Sequence, residues 1–218
     1  GKSGGASFQG FLKNMQNDWL ALATESERKA LAGDIVQNAP KEADLPKPKG
    51  PGKEWTMDEL VALTQSGLTG RSFENGKRAY AASRCISCHR YAGEGGSTGP
   101  DVTNVAGRFS YKDLLESMID PSKVVSDQYR ASIITTNRGK VYTGRVLGEA
   151  DGKLSVLIDP VDITKVVEIA KDDIDEQLPS LTSLMPQKLL NTLNQDEVLD
   201  LLAYLMSRGN PNDSVFAD

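Results

Sequence analysis

The chain has 218 residues, with 25 basic and 30 acidic side chains and a formal charge of −5. That balance argues against nucleic acid as a partner. No apolar run approaches the roughly 20 residues of a membrane span, and the start, Gly1-Lys2-Ser3-Gly4-Gly5, is no signal peptide. The length suffices for one large domain, or one medium domain with an appendage, around a real core.

From Ser7 to Gln37, Phe8, Phe11, Leu12, Met15, Trp19, Leu22 and Ala23 recur at helical spacing. They predict one or two amphipathic helices, with Thr24 or Ser26 capping the second. Pro40, Pro46, Pro48 and Pro51, with Lys and Gly between them, then make a semi-rigid, solvated linker. The domain boundary is placed there. Residues 1–38 form an N-terminal helical segment, 39–54 the linker, 55–210 the principal domain and 211–218 a tail.

Thr56-Met57-Asp58-Glu59 is a capping box for a short helix through Thr64, with Trp55 as its staple. A second helix begins at Phe73. Gly76 and Tyr80 share one of its faces, and a glycine there lets another helix cross closely. This helix runs into Cys85-Ile86-Ser87-Cys88-His89, which matches the C-x-x-C-H pattern of covalent haem c attachment. One helical turn carries both sulfurs to one porphyrin edge, and the next residue swings its imidazole under the iron. Both Cys and the one His of the chain fall in these five positions. A thioredoxin-type pair needs no His there and belongs in a βαβ context. A structural zinc site needs four ligands, normally Cys and His, and the chain has three such residues.

Tyr91 to Thr103 is glycine-rich and reads as loop, and Tyr111 to Ile119 as a helix stopped by Asp120-Pro121-Ser122. The period then changes to alternation. Tyr129–Thr136, Val141–Leu147, Leu154–Ile158 and Thr164–Ile169 predict a four-stranded antiparallel meander, turning at Asn137-Arg138-Gly139, Asp151-Gly152 and Pro160-Val161-Asp162. The acid run Asp172-Asp173-Ile174-Asp175-Glu176 reads as a solvated turn or a docking patch for a basic partner. Pro186–Leu193 predicts a short helix. Gln195–Ser207 predicts a longer one, with Val198, Leu201, Leu202 and Leu205 on one stripe, capped by Asn194 and closed by Gly209.

With a haem accepted, His89 is the proximal iron ligand, and a second His is excluded within the chain. Of the five Met, Met185 lies in the irregular segment Ser183-Leu184-Met185-Pro186 and is the preferred distal ligand. Met118 and Met206 sit on helices, where a Met beside an apolar stripe is more often core filler. An open or water-bound iron is the remaining alternative.

The chain resembles class I cytochromes c beyond the attachment motif, through Gly76 and Tyr80 before it, Pro100, Arg108, Met185 and Tyr204. The resemblance implies a mainly α helical fold with an inserted β-meander at about residues 128–170. It also implies a Pro100 carbonyl bonded to the proximal imidazole, Arg108 on a haem propionate, Met185 as sixth ligand, and Tyr204 packed against the helix that carries Gly76. A narrower resemblance covers about residues 70–207. It rests on Arg71-Ser72-Phe73-Glu74-Asn75-Gly76, Gly99-Pro100-Asp101-Val102-Thr103, Asp120-Pro121-Ser122, Ser183-Leu184-Met185-Pro186 and Leu201-Leu202-Ala203-Tyr204-Leu205. These resemble the C-terminal haem-binding domains of planctomycete and verrucomicrobial bacteria.

The function expected is single-electron transfer through one covalent, His/Met-ligated haem c, in a module that is not itself an enzyme. The expected electron donor is a fused or docked dehydrogenase. The alternative is a small-gas or redox sensor with a labile sixth ligand and the meander as relay. The insert is otherwise read as a docking or homodimerisation platform whose removal leaves the haem spectrum intact. Tyr91, Tyr111 and Tyr129 are read as packing aromatics rather than pocket residues. Since haem c is attached outside the cytoplasm, a periplasmic or otherwise extracytoplasmic location is expected, with the export signal cleaved or upstream of a fragment.

Overall fold

A computed structural model describes residues 42–65 and 68–217, together with residues 24, 27 and 40. The helices expected over Ser7–Gln37 lie outside the described residues. From that segment, Thr24 donates through its backbone N–H (2.8 Å) and its hydroxyl (2.7 Å) to the Glu27 carboxylate, a helix-start contact.

Among the described residues, helices α1 (Met57–Thr64), α2 (Phe73–Ala82), α3 (Cys85–Cys88), α4 (Tyr111–Ile119) and α5 (Gln195–Met206) enclose one core. Local chemistry sets their starts. Thr56 with Glu59, Ser110 with Asp113 and Asn194 with Glu197 each form a reciprocal capping box, satisfying N–H groups that have no partner within the helix. Buried Leu60, Leu115, Leu201 and Leu202 fill the core, and Trp55 joins it with its Nε1–H donated to the Leu193 carbonyl at 3.2 Å. The short helix expected over Pro186–Leu193 is reduced to a 3-10 turn at Leu189–Thr192.

The crossing of α2 and α5 is close because Gly76 has no side chain. A Cβ there would overlap the Asp200 carbonyl and stand 2.5 Å from Tyr204 Cβ. Tyr204 also meets Phe73 edge-on at 5.1 Å and Tyr91 at 4.5 Å between ring centroids, so an aromatic stack fills the crossing. Residues 47–50 lie along the N-terminus of α5. The Glu197 carboxylate, 3 % exposed, accepts from the backbone N–H of Lys49 (2.6 Å), Gly50 (3.2 Å) and Asn194 (3.1 Å), and pairs with Arg78 at 3.3 Å.

The expected mainly α fold is overturned by a five-stranded antiparallel sheet, which makes the chain a mixture of helical and β architecture. Its strands are β3 (Ser132–Thr136), β4 (Val141–Ala150), β5 (Lys153–Leu157), β6 (Val166–Ala170) and β7 (Ile174–Pro179), ordered β6-β5-β4-β3-β7. Four strands follow the expected meander. The fifth is the segment read as a solvated acid turn: after a 3-10 turn at Lys171–Asp173 the chain crosses back and pairs with β3, Ile133 opposite Leu178 and Thr135 opposite Glu176. Five of the six β7 side chains are exposed, so no alternation announces the strand, and its acids suit an unpaired edge. The sheet has its own core, Ile134, Leu154, Val156 and Ile169. Its entrance and exit meet where the Ser180 N–H donates to the Ala131 carbonyl at 2.8 Å.

A second departure is a small hairpin, β1 (Arg90–Tyr91) with β2 (Glu94–Gly95), in the segment read as loop. Its two turn residues, Ala92 and Gly93, take positive φ of 50° and 86°, as a two-residue hairpin demands.

Burial works to raise the Glu197 carboxyl, but the three backbone N–H donors and Arg78 outweigh it and hold the group below its ordinary value. A carboxylate lowered by folding stabilises the fold above its ordinary pKa of 4.5, and that contribution is lost as pH falls through the folded value. Glu197→Gln is therefore expected to cost about 1–3 kcal/mol in denaturant unfolding at pH 7. The difference from wild type should shrink as the titration is repeated below pH 4.

Candidate haem site

The short helix α3 exists because α2 is stopped just before it. Ser83 Oγ donates back to the Ala79 carbonyl at 2.7 Å, and Arg84 takes a left-handed conformation (φ 66°), from which the chain re-enters a helix at Cys85. A non-glycine residue at that φ is strained, and here the strain redirects the chain at the cysteine turn. Cys85 begins α3 and is buried; Cys88 ends it and is half-buried; both thiols are free. His89 caps the helix, its N–H bonded to the Cys85 carbonyl at 2.9 Å.

A glycine-rich loop wraps this turn. The N–H of Gly96 donates to the Ile86 carbonyl (2.9 Å), that of Gly99 to the Cys88 carbonyl (2.8 Å) and that of Val102 to the Arg90 carbonyl (2.9 Å). Side chains would block the wrap. A Cβ on Gly95 would overlap the His89 carbonyl and one on Gly96 the Ser87 carbonyl, while one on Gly99 would stand 2.9 Å from His89 Cε1 and 3.0 Å from Nδ1. The loop ends on the Pro100 carbonyl, which accepts from His89 Nδ1 at 2.9 Å. Tyr80 secures the other side, its hydroxyl donating to the His89 carbonyl at 2.9 Å.

Burial holds the His89 imidazole below its ordinary value, against the opposing pull of the Pro100 carbonyl. Burial also pushes the Cys85 thiol up to about 11 and raises Cys88. Near neutral pH the ring is uncharged and both thiols are protonated. Raised thiols are the opposite of the low-pKa pair that a disulfide oxidoreductase uses. Among the described residues no cluster of three or more His, Cys, Asp or Glu is placed to hold a metal ion, so the zinc alternative gains nothing.

The remaining expected residues fall as follows. Met185 is half-buried in the segment between the sheet and α5, against the same hydrophobic cluster that holds Cys85 and Ile86. Its N–H donates to Ser183 Oγ (3.1 Å), and the Ser183 N–H donates to Ser122 Oγ (3.1 Å), so the Asp120-Pro121-Ser122 corner pins the methionine segment. Met118 is buried within α4 as core filler, and Met206 is half-buried at the end of α5. Arg108 is exposed, just after the 3-10 turn Val105–Gly107. Tyr91 is buried against α5, its hydroxyl on the Tyr204 carbonyl and accepting from the Gly209 N–H at 2.7 Å. Tyr111 packs on the helical core, and Tyr129 lies under Arg145.

Nothing local in the sequence marks Thr98, Pro160 or Arg145 as a site residue, Pro160 reading only as part of a turn. The turns joining β3 to β4 and β4 to β5 are tight, whereas residues 158–165 between β5 and β6 form a long loop. Asp159 and Asp162 fix it by accepting the Val161 and Thr164 N–H groups, each at 2.9 Å. Its Pro160 carbonyl accepts from Cys88 Sγ at 3.1 Å and from the Thr98 hydroxyl. Arg145, on β4, donates from Nη1 to the Thr98 carbonyl at 2.9 Å. The insert thus touches the second cysteine and the loop beside it. These contacts span 47 to 72 residues, and no local pattern marks them.

Two thiols on one turn, with a neutral imidazole whose Nδ1 is engaged and whose Nε2 is left for a metal, fit a covalent haem. Residues 73–151, from the first residue of α2 into the sheet, match the family model described as Cytochrome c. The match supports a cytochrome c family, and with it haem-based electron transfer and covalently bound haem c. No curated protein matches the chain.

Gly99→Ala is expected to push the His89 ring off the Pro100 carbonyl. Overpacking of this kind costs about 1–3 kcal/mol, and the yield of haem-loaded protein, quantified as pyridine haemochrome, should fall severalfold. Gly148, with nothing within 4 Å of its added Cβ, gives the control: Gly148→Ala should load as wild type.

Proposed function

We propose that the chain is a one-electron carrier module, not itself an enzyme. Cys85 and Cys88 tether one haem c, His89 is its proximal ligand, Met185 its distal ligand, and Arg108 meets a propionate. The observation that carries the reading is the His89 Nδ1 to Pro100 contact beside two free thiols on one turn. When bound, the haem supplies a one-electron couple, whose potential a thioether ligand raises.

The rest falls to the chain. Donation from Nδ1–H to Pro100 fixes the tautomer, so Nε2 carries the lone pair, and makes the imidazole a stronger donor. Gly99 against one ring edge and Tyr80 on the His89 carbonyl hold the ring from turning. The Ser122 and Ser183 contacts hold the Met185 segment through its backbone, leaving the thioether free to serve as a ligand. Buried Leu, Val and Tyr side chains keep water from the interior, which limits rearrangement between charge states.

The reading places the module outside the cytoplasm, exchanging electrons with a docked or fused dehydrogenase. Among the described residues no helix is long and apolar enough to cross a membrane. The narrower resemblance to planctomycete-type haem-binding domains is kept as part of the proposal. It draws support from the Ser122–Ser183 contact, which ties together two of the motifs that define it. The sensor reading retains one support of its own, the Pro160 contact on Cys88, through which the sheet touches the tether.

Absorption spectra of oxidised and reduced protein, with and without carbon monoxide, separate the two. The carrier reading expects sharp α and β bands on reduction and no change with carbon monoxide. Met185→Ala should lower the potential and open the iron to carbon monoxide; an unchanged spectrum would remove Met185 from the iron. A wild-type protein that binds carbon monoxide as isolated would favour the sensor.

A further inference from the structure

Arg145 enters the helical module from the sheet and is 9 % exposed. Its guanidinium lies over the Tyr129 ring at 5.0 Å and donates to the Thr98 carbonyl at 2.9 Å. No carboxylate pairs with it among the described residues. Asp159, in the neighbouring turn, uses its Oδ1 on the Val161 N–H. Burial pulls the Arg145 guanidinium below its ordinary value, with Tyr129 acting the other way, yet arginine stays charged in proteins. A buried, unpaired cation is costly to maintain, so its position is informative. Thr98 is followed directly by Gly99, which packs on the His89 ring, and by Pro100, which accepts its Nδ1–H.

We propose that Arg145 is a positioning and charge-setting residue for the His89 site: the inserted sheet delivers a fixed positive charge to the loop that holds the proximal imidazole. The inference rests on the haem reading given above. In a low-dielectric interior a unit charge acts over many ångströms, and a fixed cation favours the state of the site that carries one electron more. The hydrogen bond to Thr98 and the ring of Tyr129 hold that cation in place. The sheet is therefore part of the redox unit.

The test is the reduction potential of the haem-loaded full chain by spectroelectrochemistry, with haemochrome content and thermal unfolding measured on the same samples. Arg145→Gln removes the charge and should lower the equilibrium constant for reduction by about tenfold, which is about 59 mV for one electron. Arg145→Lys keeps the charge and should stay within about threefold of wild type. Tyr129→Glu sets a carboxylate against the guanidinium without cutting its bond to Thr98, and should lower the potential in the same direction; if Arg145→Gln does not fold or load, this variant decides alone. An unchanged potential in a loaded charge-cancelling variant, or a fall in Arg145→Lys as large as in Arg145→Gln, overturns the inference. Absence of covalent haem in the wild type overturns the haem reading, and this inference with it.

Discussion

The hydrogen bond from His89 Nδ1 to the Pro100 carbonyl is the constraint on which the rest of the site depends. It needs a loop that leaves the cysteine turn, reverses at β1 and β2, and returns within 2.9 Å of the ring it started beside. Backbone must then pass backbone at Gly95 and Gly96, and the imidazole ring at Gly99, where any side chain would collide. Those glycines give up much conformational freedom on folding, and the three N–H bonds to the Ile86, Cys88 and Arg90 carbonyls offset part of that cost. The outcome is an imidazole with a fixed tautomer and little freedom to rotate.

That loop is braced from two sides. The helical side is the crossing of α2 and α5 through Gly76, with Tyr80 reaching from α2 to the His89 carbonyl. The other brace is the inserted sheet, through Arg145 on Thr98 and Pro160 on Cys88. A domain with its own core and adjoining entrance and exit need not touch the chemistry of its host. This one does, at the two points nearest the thiol and the proximal loop.

How much of this was legible follows from the range of each interaction. The boundaries of α1, α4 and α5 are set by capping boxes written within four consecutive residues, and the cysteine turn is a five-residue motif. The Pro100 carbonyl, reached through resemblance, lies 2.9 Å from His89 Nδ1. The β1–β2 hairpin escaped notice because Tyr91-Ala92-Gly93 lacks the usual Asn-Gly or Asp-Gly signature. The fifth strand, β7, escaped because its side chains are acidic and exposed, and edge pairing is a property of the backbone. With the other four strands it makes the fold a mixture of helix and sheet rather than mainly α. Arg145 and Pro160 were illegible for a third reason: their partners are set by tertiary docking.

The placement of the two sulfurs also bears on how the molecule is made. Cys85 is in the interior and Cys88 is roofed by a carbonyl contributed 72 residues later. On the haem reading proposed above, a factor that joined a porphyrin to these thiols from outside would need that roof still open, so ligation on the helical unit would come before the inserted sheet settles over Cys88.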